Sequence, residues 1–252
     1  MMDCQLWADV CKLALGGVAF ILCGDFLQFP AVCEHWAGCL VQAGALENSD
    51  MIRDLAGSNR LTLTTNMRSD QTLFDFYTGL SERPLAEALL DARVRFPCTS
   101  RVAETTLVIS HASRRFINRQ RNRHDKPRDA VYLRAPMSGK TGTGPEPMWV
   151  WSGLRLVGAG CGPVKKGVFE TVASVSESDG VVTVTLHSGL SLVGAQAVRT
   201  LRLCSAITYA SCQGLTLHGV VRLDCTNSPH FTCRHLYVGA SRCTSNHLLE
   251  IS

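Results

Sequence analysis

Three apolar runs between residues 201 and 251, separated by a polar turn and one helical stretch, restrict this chain to an α/β fold. The runs are Leu201-Arg202-Leu203-Cys204-Ser205-Ala206-Ile207-Thr208-Tyr209, Gly219-Val220-Val221-Arg222-Leu223-Asp224-Cys225 and Leu248-Leu249-Glu250-Ile251. Continuous apolar runs of this length, joined through turns and helices, predict strands buried on both faces of a parallel sheet. Gln213-Gly214-Leu215-Thr216 follows the first run, at the strand end where open α/β sheets place ligands. Ser241-Arg242 closes the helical stretch that begins at His235. A glycine lets backbone amides approach a phosphate, and an arginine can neutralise charge as a phosphate leaves. Each alone reads as a turn glycine or a solvated arginine; their order and closeness make the pair specific.

Upstream, residues 3–15 place Leu6, Val10, Leu13 and Ala14 on one helical face, with Gly16-Gly17 as the stop signal. Val18-Ala19-Phe20-Ile21-Leu22-Cys23 reads as a buried strand that runs into Gly24-Asp25-Phe26-Leu27-Gln28-Phe29-Pro30. A carboxylate and an amide at a strand's end suit contact with the terminal phosphate of a nucleotide. Leu61 to Ser69 follows, with Asn66 and Arg68 ahead of a helix through Phe74, Phe76 and Leu80. Thr106-Leu107-Val108-Ile109-Ser110-His111-Ala112 is another buried strand, and a basic helix comes after it. That helix carries Arg114, Arg115, Arg119, Arg121, Arg123, Lys126 and Arg128, opposed by Asp125. Such a cluster can neutralise several nucleic-acid phosphates, and it can equally be a solvated helix face.

Gly139-Lys140-Thr141 invites a phosphate-loop reading, but that motif needs G-x4-G-K-[ST] between a strand and a helix. Arg134 stands where the first glycine belongs, and Gly142, Gly144, Pro145 and Pro147 follow, which oppose a helix. Residues 136–148 therefore read as a linker. From 149 to 200 short β-rich runs alternate with turns such as Ser178-Asp179-Gly180, the pattern of a small antiparallel barrel.

Twelve cysteines are scattered singly in 252 residues, without a C-x2-C pair. Cys33-x-His35-x3-Cys39 lacks a second half, so no metal site is expected; reduced, buried thiols in a nuclear or cytoplasmic protein are. A net charge of +4 permits a nucleic-acid partner without requiring one. No apolar run approaches the roughly 20 residues that span a bilayer, so no membrane partner is expected.

Thr208-x4-Gln213-Gly214-Leu215-Thr216 with Tyr237-Val238-Gly239-Ala240-Ser241-Arg242 resembles motifs V and VI of PIF/RecD-like superfamily 1 DNA helicases. The family reads T-x-H-K-x-Q-G-x-T and Y-V-A-L-S-R; here Ala210 and Ser211 replace the His and Lys. The herpesviral helicase-primase helicase subunit is also similar, with alanine at the place of Ala210. Gly24 to Pro30 resembles motif III, departing at Phe29 and Ala31, and the stretch from Leu61 to Arg68 resembles motif IV.

This resemblance implies an α/β RecA-like second domain with an inserted SH3-like β-barrel, plus a remnant of the first RecA-like domain. The expected divisions are 1–50 (remnant, motif III), 51–135 (second domain, motif IV), 136–148 (linker), 149–200 (barrel) and 201–252 (motifs V and VI). It implies ATP and magnesium as cofactors of the full-length protein, with neither bound tightly by this chain alone. Gly24, Asp25, Gln28, Arg68, Gln213, Gly214 and Arg242 would face the nucleotide, and Gln28, Arg68 and Arg242 would act in catalysis. Thr208, Gln213, Thr216, Arg114, Arg115, Arg119 and Arg121 would contact single-stranded DNA. The phosphate-loop lysine and the magnesium-binding Asp-Glu have no counterpart in the sequence. The chain is thus expected to be the carboxyl-terminal half of a 5′-to-3′ helicase, inactive alone, whose amino-terminal half lies in a longer chain or a partner. A non-catalytic single-stranded nucleic-acid-binding remnant, or a truncated viral or mobile-element helicase, is the alternative. A longer form could carry a mitochondrial address.

Overall fold

A computed structural model describes residues 4–29, 35–36, 39–40, 47, 49–135 and 144–252. Helix α1 (Cys4–Leu15) ends as the glycine pair predicts. Gly17 takes φ +89°, its amide bonds to the Ala14 carbonyl and the Val18 amide to that of Leu13. This is the paired closure that a left-handed glycine makes possible. The buried strand expected at residues 18–23 does not form. The segment is irregular, with Ile21 94% exposed and Val18 half exposed, because no neighbouring strand lies against it among the described residues. Strands β1 (His35–Trp36) and β2 (Cys39–Leu40) pair antiparallel, and the short α2 (Asp50–Leu55) follows; Cys33 of the Cys-His-Cys spacing lies outside the described residues.

Helix α3 (Gln71–Thr78) starts where Asp70 accepts the Leu73 amide at 2.8 Å, and α4 (Leu85–Arg95) packs beside it. Strand β3 (Thr105–Val108) is buried throughout and leads into α5 (His111–Asp125), capped by the Ser110 hydroxyl.

The antiparallel part begins with β4 (Val131–Leu133) and β5 (Met148–Val150), a paired hairpin. The linker expected over 136–148 therefore ends earlier, since Met148 already pairs with Leu133; residues 136–143, which include the Gly139-Lys140-Thr141 motif, lie outside the described residues. Next come β6 (Arg155–Gly158), β7 (Phe169–Ser178), β8 (Val181–Leu186), β9 (Ser191–Val193) and α6 (Gly194–Thr200). Strand β10 (Leu201–Leu203) joins them in a five-stranded antiparallel sheet of order β10-β6-β7-β8-β9.

The apolar run at 201–209 thus serves two sheets, and the boundary expected at residue 200 moves to Cys204-Ser205. Leu201 and Leu203 pack in the antiparallel core with Leu156, Val184 and Val198, whereas Ile207 packs in the other core. Asn118, buried on α5, holds the crossing. Its Nδ2 donates to the carbonyls of Leu203 and Ala206, and its Oδ1 accepts the Ala206 amide at 2.7 Å.

Strands β11 (Ala206–Thr208) and β12 (Val221–Leu223), helix α7 (Cys233–Ala240) and strand β13 (Leu249–Ile251) complete the chain. The order β11-β3-β12-β13 is parallel at every step, which agrees with the α/β expectation. Leu107, Tyr209, Leu223, Leu236 and Leu249 form its core with Leu73, Phe76 and Phe96 of the flanking helices. Gly239 lets α7 lie close on the sheet: a Cβ there would stand 2.6 Å from Leu223 Cδ2. No helix among the described residues is long and apolar enough to cross a membrane.

Candidate functional site

The turn after β11 opens at the carboxyl edge of the parallel sheet, where α/β folds place ligands. Thr208 Oγ1 donates to Ser211 Oγ at 2.8 Å and accepts the Ser211 amide, so its buried hydroxyl closes the turn. Gly214 takes φ +81°, a conformation that favours glycine. The chain then runs beside the end of α7: the Leu217 amide donates to the Arg242 carbonyl at 2.9 Å. Thr216 between them is half-buried.

Arg242 is 2% exposed and is held by neutral acceptors. Its Nε and Nη2 donate to Ser241 Oγ at 3.3 and 2.9 Å, and Nη1 lies 3.5 Å from the Leu215 carbonyl. Arg68 arrives from the other side, its Nη1 donating to the Ser241 carbonyl at 3.0 Å. Burial, and then the neighbouring Arg68 charge, press Arg242 below the ordinary guanidinium value. Among the described residues neither arginine has a carboxylate within ion-pair distance.

Residues 24–29 lie against the same helix. Tyr237 donates its hydroxyl to Asp25 Oδ2 at 2.8 Å, and Gln28 Nε2 donates to the same oxygen at 3.0 Å. Burial first, and then this carboxylate, push the Tyr237 phenol well above its usual value. Gln213 Nε2 reaches the Phe29 carbonyl at 3.4 Å, while its Oε1 is buried with no partner among the described residues. The Phe29 ring meets His235 edge-on at 4.6 Å, and burial lowers His235 to about 4, so its imidazole is neutral at neutral pH. Gly24 is exposed, with open space where a side chain would stand.

Three stretches remote in sequence thereby converge on α7, bringing Asp25, Gln28, Arg68, Gln213 and Arg242 into one region. A buried arginine without a carboxylate partner, beside a second arginine, leaves positive charge that an anion can balance. The residues therefore fit the phosphates of a nucleotide.

The expected strand contacts are less uniform. Arg114 belongs to the interior: it is 4% exposed and ion-paired with Glu146, because its place on α5 faces the sheet. It is not part of an open basic face. Arg121 pairs with Asp125 at 3.1 Å, Arg115 is half-buried and Arg119 is exposed. Tyr237 and Ser241 were missed as site residues although both lie within the Tyr237-Val238-Gly239-Ala240-Ser241-Arg242 stretch. Phe29 and His235 carry no signal of their own, since their contact depends on how residues 24–29 meet α7.

No protein-family model matches the chain, and no curated protein matches it. Among solved structures it is similar to the Pif1 helicase of Candida albicans, with a TM-score of 0.67 at 18% identity, over 100% of this chain and 70% of that one. It is similar to Bacteroides Pif1 bound to ssDNA (TM-score 0.51, 16% identity, 76% of this chain and 51% of that one). It is also similar to Bacteroides Pif1 in complex with ADP-AlF3 and ssDNA (TM-score 0.52, 17% identity, 76% and 51%). The chain thus spans about half the length of the Bacteroides proteins. At these identities the likeness is one of fold, and that fold is Pif1-helicase-like, as the resemblance of the motifs implies.

Proposed function

We propose that this chain is the carboxyl-terminal half of an ATP-dependent 5′-to-3′ DNA helicase, acting in replication, repair or recombination. The observation that carries the reading is the pairing of Arg68 and Arg242 across Ser241, beside Asp25 and Gln28. Gln28 senses the terminal phosphate of ATP, and the two arginines stabilise the transferring phosphoryl group. Gln213, Gly214 and Thr216 link that site to the strand, since the loop they form is hydrogen-bonded to Arg242. Bound ATP supplies the free energy of phosphoryl transfer, with magnesium held by residues outside this sequence. The antiparallel sheet takes the part of the SH3-like insert, lying along single-stranded DNA. Support comes from the Pif1-like fold and from Pif1 relatives solved with ssDNA and with ADP-AlF3.

In this fold hydrolysis needs a phosphate-loop lysine and a carboxylate-held magnesium. The sequence has neither motif, so an amino-terminal RecA-like half supplies them. ATP turnover stimulated by single-stranded DNA tests this. The 252-residue chain alone should show none above background. The reading frame extended upstream should turn over ATP, and Arg242→Ala should slow it by about 10³ or more. Turnover by the chain alone that is lost with Arg242→Ala would contradict the division of labour. An extended protein that binds DNA and never hydrolyses ATP would favour a non-catalytic binding remnant.

A further inference from the structure

Away from the arginine pair, α5 and the β4–β5 hairpin border a half-open polar hollow of about 280 Å³ lined by Arg119, Asn122, Arg123, Tyr132, Met148 and Trp149. Tyr132 and Trp149 are cross-strand partners whose rings lie 5.0 Å apart at 49°, and Tyr132 is 45% exposed. Asn122 locks the platform from beneath. Its Nδ2 donates to the Trp149 carbonyl and its Oδ1 accepts the Trp149 amide, both at 2.8 Å. Lys126 holds its ammonium 3.8 Å over the indole face. Arg119, Arg123 and Lys126 are exposed, and among the described residues the ion pairs of α5 are made by Arg114, Arg121 and His124 instead. Among the described residues no carboxylate lines the hollow.

We propose that this hollow seats an unpaired base of single-stranded nucleic acid, with the flanking phosphates on Arg119, Arg123 and Lys126. The chemistry is specific to that ligand class. Adjacent aromatic rings offer faces on which any base can stack, and three cations without a carboxylate partner among the described residues answer a phosphodiester. An acidic peptide would use the cations and leave the rings idle. A base plane replaces Lys126 over the indole, and the freed ammonium turns to the neighbouring phosphate. The site deepens the strand-binding part of the function proposed above and shares no residue with its nucleotide site, so the two readings fail separately.

The test is fluorescence anisotropy of a short labelled oligothymidylate with the 252-residue chain at several salt concentrations. Tyr132→Leu should weaken binding about tenfold and leave the salt dependence unchanged, as loss of one stacked base does. Arg123→Gln should reduce the slope of log affinity against log salt by about 0.7, one phosphate contact on a single strand. Photocrosslinking through 5-iodouracil should label the peptide holding Tyr132 or Trp149. Both residues substituted are on the surface, and circular dichroism confirms folding. Wild-type affinity in both variants, or no binding by the wild type, overturns the proposal. So does competition by polyglutamate as strong as by unlabelled oligonucleotide together with an unaffected Tyr132→Leu, which would mark a patch for acidic proteins. None of these results touches ATP turnover.

Discussion

The hydroxyl of Tyr237 and the carboxylate of Asp25, 212 residues apart in sequence, meet at 2.8 Å. Asp25 also accepts the Leu27 amide and the Gln28 side chain, so this bond ties the turn at residues 25–28 to α7. Tyr237→Phe removes the tie and leaves the ring contact with Tyr77 at 5.6 Å in place. At a partly solvated site the loss is about 1 kcal/mol, confined to the turn. Hydrogen exchange of the Leu27 and Gln28 amides should quicken about fivefold. The thermal midpoint should not move; if it falls markedly, the turn is part of the global folding unit.

Asn118 makes three hydrogen bonds to the backbone at the point where the chain leaves one sheet for the other. Asn118→Ala leaves two buried carbonyls and an amide without this partner, at about 4 kcal/mol in total. For a chain of this size the midpoint should drop by about 10 °C. Asn118→Asp should be no rescue, since a carboxylate would face the carbonyls of Leu203 and Ala206. A calorimetric scan of both variants decides it, and a shift of a degree or two in Asn118→Ala would show that the crossing is held by the cores alone.

That crossing also shows where sequence reading reaches its limit. The apolar run at 201–209 announces strand, but every residue in it is equally suited to either sheet, and only the buried amide of Asn118 marks where the run divides. Val18 to Cys23 has a strand's composition, yet a strand exists only by pairing, and no partner lies among the described residues. Arg114 reads as one more cation in a basic cluster, because sequence spacing does not reveal that Glu146 waits 32 residues later. The parallel strands were legible, since burial on both faces demands unbroken apolar runs. The arginine pair was legible through the order of Arg68, Gln213-Gly214 and Ser241-Arg242. The Tyr132–Trp149 platform was not, because it depends on the register of a hairpin whose strands lie apart in sequence.

Glu250, in the middle of β13, is fully buried and receives Arg222 at 2.7 Å and Arg101 at 3.1 Å. Burial opposes its charge, but the Thr99 hydroxyl and Arg222 outweigh that and hold the carboxyl below its ordinary 4.5. A carboxylate with a depressed folded value stabilises the fold above its unfolded value, and that contribution fades as pH falls through the folded value. Thermal stability should therefore decline as pH drops below about 4.5. Glu250→Gln should cost about 2 kcal/mol at neutral pH, since two arginines with access to water lose a charged acceptor. It should also flatten the decline on the acid side. Melting curves at neutral and acid pH for both proteins check this; a decline of equal steepness in Glu250→Gln would assign the acid sensitivity to other carboxylates.

The thiols divide by burial. Burial raises Cys204 to about 11 and Cys212 to about 12, and Cys243 well above its usual value, while Cys23, Cys98 and Cys161 are exposed. Alkylation requires the thiolate and access to it, and the three buried thiols have neither near neutral pH. Brief iodoacetamide treatment of the folded protein, followed by peptide mapping, should modify Cys23, Cys98 and Cys161. Cys204, Cys212 and Cys243 should be labelled only after denaturant is added. Cys212 lies in the turn between Thr208 and Gln213, and Cys243 follows Arg242, so these two thiols also report on the arginine pair. Arg242→Ala removes a buried guanidinium that partly offsets the upward push on both thiols. If the loop and helix keep their packing, Cys212 and Cys243 stay unreactive in that variant, and a slower turnover by the upstream-extended protein proposed above would belong to the arginine. If both become reactive without denaturant, the substitution has opened the loop, and any effect of it on the extended protein would report a broken scaffold.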